Sequence, residues 1–110
     1  MLLTIVETSI FTREISSLLL EEEYRLLQWK LVLRPEAGDL IPRSGGLRKI
    51  RWKIPGKGKR GGLRVIYYFD SPSRIYMLFT YKKNTQENLT AKQVKVLRNL
   101  VRENFTDERK

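Results

Sequence analysis

Between Gly45 and Phe69 the chain reads GGLRKIRWKIPGKGKRGGLRVIYYF. From Gly45 to Arg64 this stretch holds eight cations, Arg48, Lys49, Arg51, Lys53, Lys57, Lys59, Arg60 and Arg64, and no Asp or Glu. The first of them alternate with Leu47, Ile50, Trp52 and Ile54, the pattern of a half-buried strand. A regular pleat over Leu47 to Ile54 turns Ile50, Trp52 and Ile54 toward a core and leaves Lys49, Arg51 and Lys53 on the opposite face. The later cations lie among glycines in Gly56-Lys57-Gly58-Lys59-Arg60-Gly61-Gly62, a loop in which backbone and charge can come close to a ligand. Leu63 to Phe69 is again strongly β-prone. A basic strand, a basic glycine loop and a second strand make a hairpin suited to holding phosphates.

The charge of the rest of the chain sets this hairpin apart. The 110 residues carry a formal net charge of +10, made up of −2 over residues 1–44, +8 from Gly45 to Arg64 and +4 over residues 65–110. A concentrated excess of this kind favours a polyanionic partner. Length and composition fit one globular domain spanning residues 1–110 with a single core. Without cysteine, neither a disulfide framework nor a thiolate zinc site is available. Without histidine, the usual general base and the commonest metal ligand are also missing, so any catalysis rests on Lys, Arg, Tyr or carboxylates, and no metal or other cofactor is expected. The start of the chain lacks a basic n-region, and no apolar run nears the roughly 18 residues of a membrane span. A cytoplasmic protein with no membrane partner is the expectation.

Upstream, residues 2–6 read as a short strand, and Thr8 or Ser9 can cap a helix with Phe11, Ile15 and Leu18 or Leu19 on one side. Glu21, Glu22 and Glu23 open a second helix, where negative charge suits the positive end of the dipole. Leu20, Tyr24, Leu27 and Leu31 make its expected apolar stripe, and Pro35 stops it. Arg34 to Gly46, with two prolines and three glycines, reads as a loop. Downstream, Asp70-Ser71-Pro72-Ser73 turns Leu63–Phe69 back into a second apolar strand, Arg74 to Tyr81. That hairpin brings Lys82 or Lys83 beside Arg64 at the mouth of the glycine loop. Both strands are apolar enough to be covered on both faces. A last helix opens with the capping box Thr90…Gln93 and buries Val94, Leu97, Val101 and Phe105, while Lys92, Lys95, Arg98 and Arg102 lie on a different, solvated face. The fold expected is α+β: a small antiparallel-rich sheet with an N-terminal helical hairpin on one side and a C-terminal helix.

Four segments in order, Gly45-Gly46-Leu47-Arg48-Lys49-Ile50-Arg51, Gly56–Gly62, Arg64-Val65-Ile66-Tyr67-Tyr68 and Tyr81-Lys82-Lys83-Asn84, resemble the RelE/HigB family of bacterial type II toxins. Pro35-Glu36-Ala37-Gly38-Asp39-Leu40-Ile41 resembles the HigB branch. The resemblance implies a RelE-like fold and an mRNA interferase, an endoribonuclease that cuts messenger in the ribosomal A site. It implies as partners the ribosome, mRNA and a cognate antitoxin of the HigA-like helix-turn-helix kind. By position, it assigns the scissile-phosphate contact to Arg64 and further catalytic roles to Lys57, Lys59 and Lys83, with Lys82 beside it. Some relatives carry a catalytic tyrosine beyond that point; here Asn84 to Leu89 contain none, leaving Tyr81 or a lysine for proton transfer.

The chemistry agrees with those positions. RNA supplies its own nucleophile in the 2′-hydroxyl, so an enzyme must take that proton, stabilise the phosphorane and protonate the leaving 5′-oxygen. Arg64 suits the second task, because a guanidinium grips two phosphate oxygens and keeps its charge. Lys57 or Lys59 is the candidate base, its pKa lowered by neighbouring cations, with Lys83 facing the leaving oxygen and Tyr81 as a spare donor. Arg48, Lys49, Arg51, Lys53, Arg60 and Lys82 are left to bind RNA. Two other functions stay open: a non-catalytic RNA-binding module, for which the positive charges suffice, and, since the related ParE toxins share the fold that the resemblance implies, a ParE-like toxin acting on DNA gyrase, against which the glycine-lysine loop argues.

Overall fold

The computed structural model describes residues 3–54 and 62–104. The elements run β1 (Thr4–Glu7), α1 (Ser9–Leu18), α2 (Glu21–Leu33), β2 (Asp39–Leu40), β3 (Leu47–Trp52), β4 (Leu63–Asp70), β5 (Arg74–Lys82) and α3 (Ala91–Asn104). The five strands form one mixed sheet in the order β1-β5-β4-β3-β2, with β1 parallel to β5 and every other pair antiparallel. This is the expected α+β architecture with one added strand. β2 is only two residues long and pairs Asp39 with Lys49 and Leu40 with Arg48, too short to show an alternation.

Thr8 is the cap of α1. Its hydroxyl accepts from the Phe11 amide at 3.1 Å and donates to the Leu78 carbonyl at 2.9 Å, tying the helix start to β5. Phe11, Ile15 and Leu19 are buried, as are Leu27 and Leu31 of α2. Leu20 departs from the expected stripe. It is the residue before α2, in extended backbone (φ −68°, ψ 154°), and 75 % exposed, because a residue outside the helix does not follow the helical phase. At α3 the capping box forms in both directions: Thr90 N donates to Gln93 Oε1 at 2.9 Å, and Gln93 N donates to Thr90 Oγ1 at 3.1 Å.

The alternation along β3, β4 and β5 sorts the core into two layers. Ile50, Leu63, Val65, Tyr67, Ile75 and Met77 pack under α1 and α2, with Trp52 and Ile54 against the same cluster. Leu47, Ile66, Tyr76, Leu78 and Tyr81 pack under Leu97 and Val101 of α3. The helical hairpin and α3 thus cover opposite faces, which is why β4 is apolar at nearly every position. Phe105, expected in the α3 stripe, lies outside the described residues. The segment before β3 is held from below: the Tyr67 hydroxyl accepts from Gly38 N at 2.8 Å and donates to the Pro35 carbonyl at 2.7 Å.

Three tyrosines share an electrostatic signature. Burial raises the pKa of Tyr24, reinforced by its hydrogen bond to Glu7; burial also raises Tyr67 against the opposing Gly38 hydrogen bond, and Tyr81 against the opposing charge of Arg64. A raised phenol is held neutral in the fold, whereas in the unfolded chain it ionises near the ordinary pKa of about 10. Their contribution to stability is therefore complete below about pH 10 and is lost as pH climbs beyond it. Urea midpoints are expected to be level between pH 7 and 9 and to fall by pH 11; an equal midpoint at pH 9 and 11 refutes this.

Candidate nucleic-acid interface

Strand register assembles the site. Arg51 of β3 stands opposite Arg64 of β4, and Arg64 stands opposite Tyr81 of β5. Residues directly opposite in an antiparallel pair share a face, here the face covered by α3. Lys49, two residues back along β3, pairs with Ile66 and lies on the same face. A row of Tyr81, Arg64 and Arg51 thus crosses three strands, with Lys49 at its flank.

Arg64 is unusual within that row. It is only 6 % exposed, its Nε is buried without a hydrogen-bond partner, and its Nη1 reaches the Leu63 carbonyl at a long 3.5 Å. The Tyr81 hydroxyl is likewise buried without a partner. A buried guanidinium and a buried phenol with unused hydrogen-bonding capacity are costly alone, and an acceptor that reached both would meet both requirements. Gly62 lies beside this centre: a Cβ there would stand in ordinary van der Waals contact with Arg64 Nη1, at 3.8 Å.

The remaining candidates divide. The Lys83 amide donates to the Gly62 carbonyl at 2.9 Å, so β5 returns beside the start of β4 as the hairpin requires. Lys82 pairs with Leu63 and therefore shares the face of α1 and α2, away from Arg64. Lys53 is exposed just beyond β3. Arg48 also lies on the α1/α2 side of the sheet, opposite Tyr67. It donates to the carbonyls of Gly38 (2.7 Å) and Glu36 (3.2 Å) and pairs with the Glu36 carboxylate at 3.4 Å, bracing the loop before β2. Lys57, Lys59 and Arg60 lie outside the described residues.

Lys92, Lys95 and Arg102 of α3 are exposed and Arg98 is half-buried, yet the α3 cations do not share one surface. Lys95 and Arg98 of α3 face a cleft of about 660 Å³ that Lys49 and Arg51 line from the sheet, with Leu40 to Arg43 as its other wall. Lys92, expected beside them, lines a separate apolar groove with Val96 and Leu100. The α3 cations thus split between two surfaces. Lys49 Nζ donates to Asn88 Oδ1 at 2.8 Å, and Arg98 Nη1 donates to the Arg43 carbonyl at 3.1 Å. Among the described residues no cluster of His, Cys, Asp or Glu could hold a metal ion, and no helix is long and apolar enough to cross a membrane.

A positively charged sheet face with a buried arginine at its centre, reached through a glycine-flanked strand start, is an arrangement for engaging phosphate. A model of the family described as the RelE toxin of the RelE/RelB toxin–antitoxin system matches residues 32–110, which takes in the end of α2, the four strands from β2 to β5 and α3. The chain belongs to the RelE toxin family, and is thereby the toxin half of a toxin–antitoxin pair with an antitoxin as partner.

Proposed function

We propose that this toxin is a ribosome-dependent endoribonuclease that cuts messenger in the A site and so stops translation in the cytoplasm. The observation that carries the proposal is the juxtaposition of Arg64 and Tyr81, each with a buried polar atom left unpartnered, on a face that also holds Arg51 and Lys49. In the proposed reaction the RNA 2′-oxygen attacks its own phosphorus. The bond to the 5′-oxygen breaks, leaving a 2′,3′-cyclic phosphate and a 5′-hydroxyl. Arg64 holds the non-bridging oxygens as charge builds on the phosphorane. Lys57 or Lys59 takes the 2′-proton, and Lys83 or Tyr81 returns a proton to the leaving oxygen. Tyr81 carries a phenol proton at neutral pH, and the charge of Arg64 opposes the rise in pKa that burial causes, which favours its donation. With no histidine in the chain to serve as base, the scheme is built on cations and calls on no metal.

Such a set lacks a strong base, so alignment of the RNA must carry much of the rate. Fixing reactants in line can be worth about 7–11 kcal/mol, and a ribosome that presents the bent messenger would supply it. The HigB branch, with a HigA-like antitoxin, is the placement favoured by the Pro35–Ile41 segment. The test is end-mapping of a reporter messenger in a translating extract. The wild-type protein is expected to generate 5′-hydroxyl ends at codon-phased positions only while ribosomes are engaged. Intact messenger despite arrested translation would overturn cleavage and favour a binding-only toxin, and equal cutting of naked RNA would overturn ribosome dependence.

A further inference from the structure

The cleft between the Leu40–Arg43 wall and the first turns of α3 is contiguous with the Arg64 centre through Arg51, yet it contains none of the residues proposed to make or break bonds. We infer that it is a nucleotide-holding subsite: it seats the base of a nucleotide neighbouring the scissile phosphate, with that nucleotide's phosphate on Lys49, Arg51 and Lys95. The inference rests on reading the cationic face as RNA-binding, and it adds the residues of the β2 wall and α3 to that face.

The chemistry of the lining is two-sided. Leu40, Ile41 and Pro42 on one side and Leu89 and Val94 on the other form apolar walls. Five cations, Arg43, Lys49, Arg51, Lys95 and Arg98, stand around them with Asp39 as the single acid. Among the described residues no ion pair joins any of these five to a carboxylate. A flat apolar group bearing a negative charge satisfies both halves of such a lining, and a nucleotide is that object. Along β3, Lys49 and Arg51 are two residues apart, about 6.6 Å, a step comparable to that between successive phosphates of an extended strand.

The wall is also built to stay open. Arg43 has a left-handed backbone (φ +59°), unusual for a residue with a side chain, and Gly45 and Gly46 follow with φ of +76° and +109°. The turn is held by Ser44, whose buried hydroxyl donates to the Ile41 carbonyl at 2.6 Å and accepts from Leu47 N at 3.0 Å, and by Arg98 on the Arg43 carbonyl. Strain that the surroundings hold in place gathers where a ligand must be met. Arg98 itself packs beside Gly45, and its Nε is buried without a partner.

The experiment measures binding apart from cleavage, with a single-stranded 2′-O-methyl trinucleotide that cannot be cut. Fluorescence anisotropy across a salt series is run on the wild type, Lys95→Ala, Leu40→Ala and the control Lys92→Ala, whose side chain lies in the other groove. Lys95 and Leu40 are exposed, so both variants should fold, and thermal unfolding checks this. Lys95→Ala is expected to weaken binding about tenfold and to lower the slope of log affinity against log salt by roughly 0.7, one phosphate contact on a single strand. Leu40→Ala is expected to weaken it several-fold with the slope unchanged, and Lys92→Ala to match the wild type. If Lys95→Ala and Leu40→Ala both bind as the wild type does, the subsite is overturned whether or not the protein cuts messenger. If they lose binding while the translating extract shows no cleavage, the subsite stands and the nuclease proposal falls.

Discussion

Replacing Arg64 with methionine is expected to lower messenger cleavage by about 10²–10³-fold, the usual cost of removing one group that stabilises transition-state charge, while raising the midpoint of unfolding. The two effects share one cause. Arg64 is 6 % exposed, its Nε has no partner, and no carboxylate pairs with it among the described residues. In the free protein a charge so placed is a burden, since desolvating it is not offset by a counterion. Methionine fills much of the same space with an apolar chain, so the variant should gain on the order of 1–3 kcal/mol, the usual cost of an unsatisfied buried group. In the proposed RNA complex the balance would reverse, because the phosphate would supply the missing charge and acceptors. End-mapping in a translating extract and urea denaturation of the same preparation read the two halves. Loss of cleavage together with loss of stability would show that the guanidinium is structural, and undiminished cleavage would remove it from the chemistry.

The second large effect falls on the loop that carries the cleft wall. Gly38→Ala is expected to destabilise the protein by about 2–4 kcal/mol, combining overpacking with a strained buried hydrogen bond. A Cβ on Gly38 would meet Tyr67 Cε1 at 2.8 Å and the Lys49 carbonyl and Tyr67 hydroxyl at 3.0 Å, two of them parts of a fully buried ring and the third a strand backbone atom. Tyr67 belongs to β4 and Lys49 to β3, so neither can retreat without disturbing the sheet. Tyr67→Phe approaches the same clamp from the other side: it leaves the Gly38 amide and the Pro35 carbonyl without their partner, at a cost of roughly 1–3 kcal/mol. For a domain of this size the alanine variant should melt on the order of 10 °C lower. A melting temperature within a degree of the wild type would mean that the loop does not depend on Tyr67. Because the loop leads into Leu40 and Ile41, partial loss of trinucleotide binding should accompany the loss of stability.

Much of this arrangement is legible before any coordinates. Thr8, the acidic start of α2, the Thr90–Gln93 box and the continuous apolar runs of β4 and β5 each declare their element, because caps and periodicity act over a few residues. The pairing of Arg64 with the end of β5 also follows from a turn at Asp70–Ser73. The misplacements are equally physical. Leu20 fits a helical spacing but precedes the helix, and β2 is too short to carry a pattern. Arg48 looks like one more cation of a basic strand, yet the pleat sends it to the other side, where Glu36 and two carbonyls hold it. Lys95 is exposed and Arg98 half-buried, but that both overlook a cleft beside the sheet is not legible on a helical projection, because no local rule says which flank of α3 will overhang the sheet.

Local chemistry alone thus settles the order of elements, the burial of both faces of β4 and β5, and the concentration of positive charge around β3. Which cations act together was decided only when the sheet and helices came into register. A strand reverses the face of every side chain when it slips by one residue, and a helix changes its neighbours with a small rotation, so contacts between distant segments depend on packing that no short window contains. The tertiary structure accordingly divides the basic stretch: Lys49, Arg51 and Arg64 meet Tyr81, Lys95 and Arg98 on one face, while Arg48 and Lys82 belong to the other.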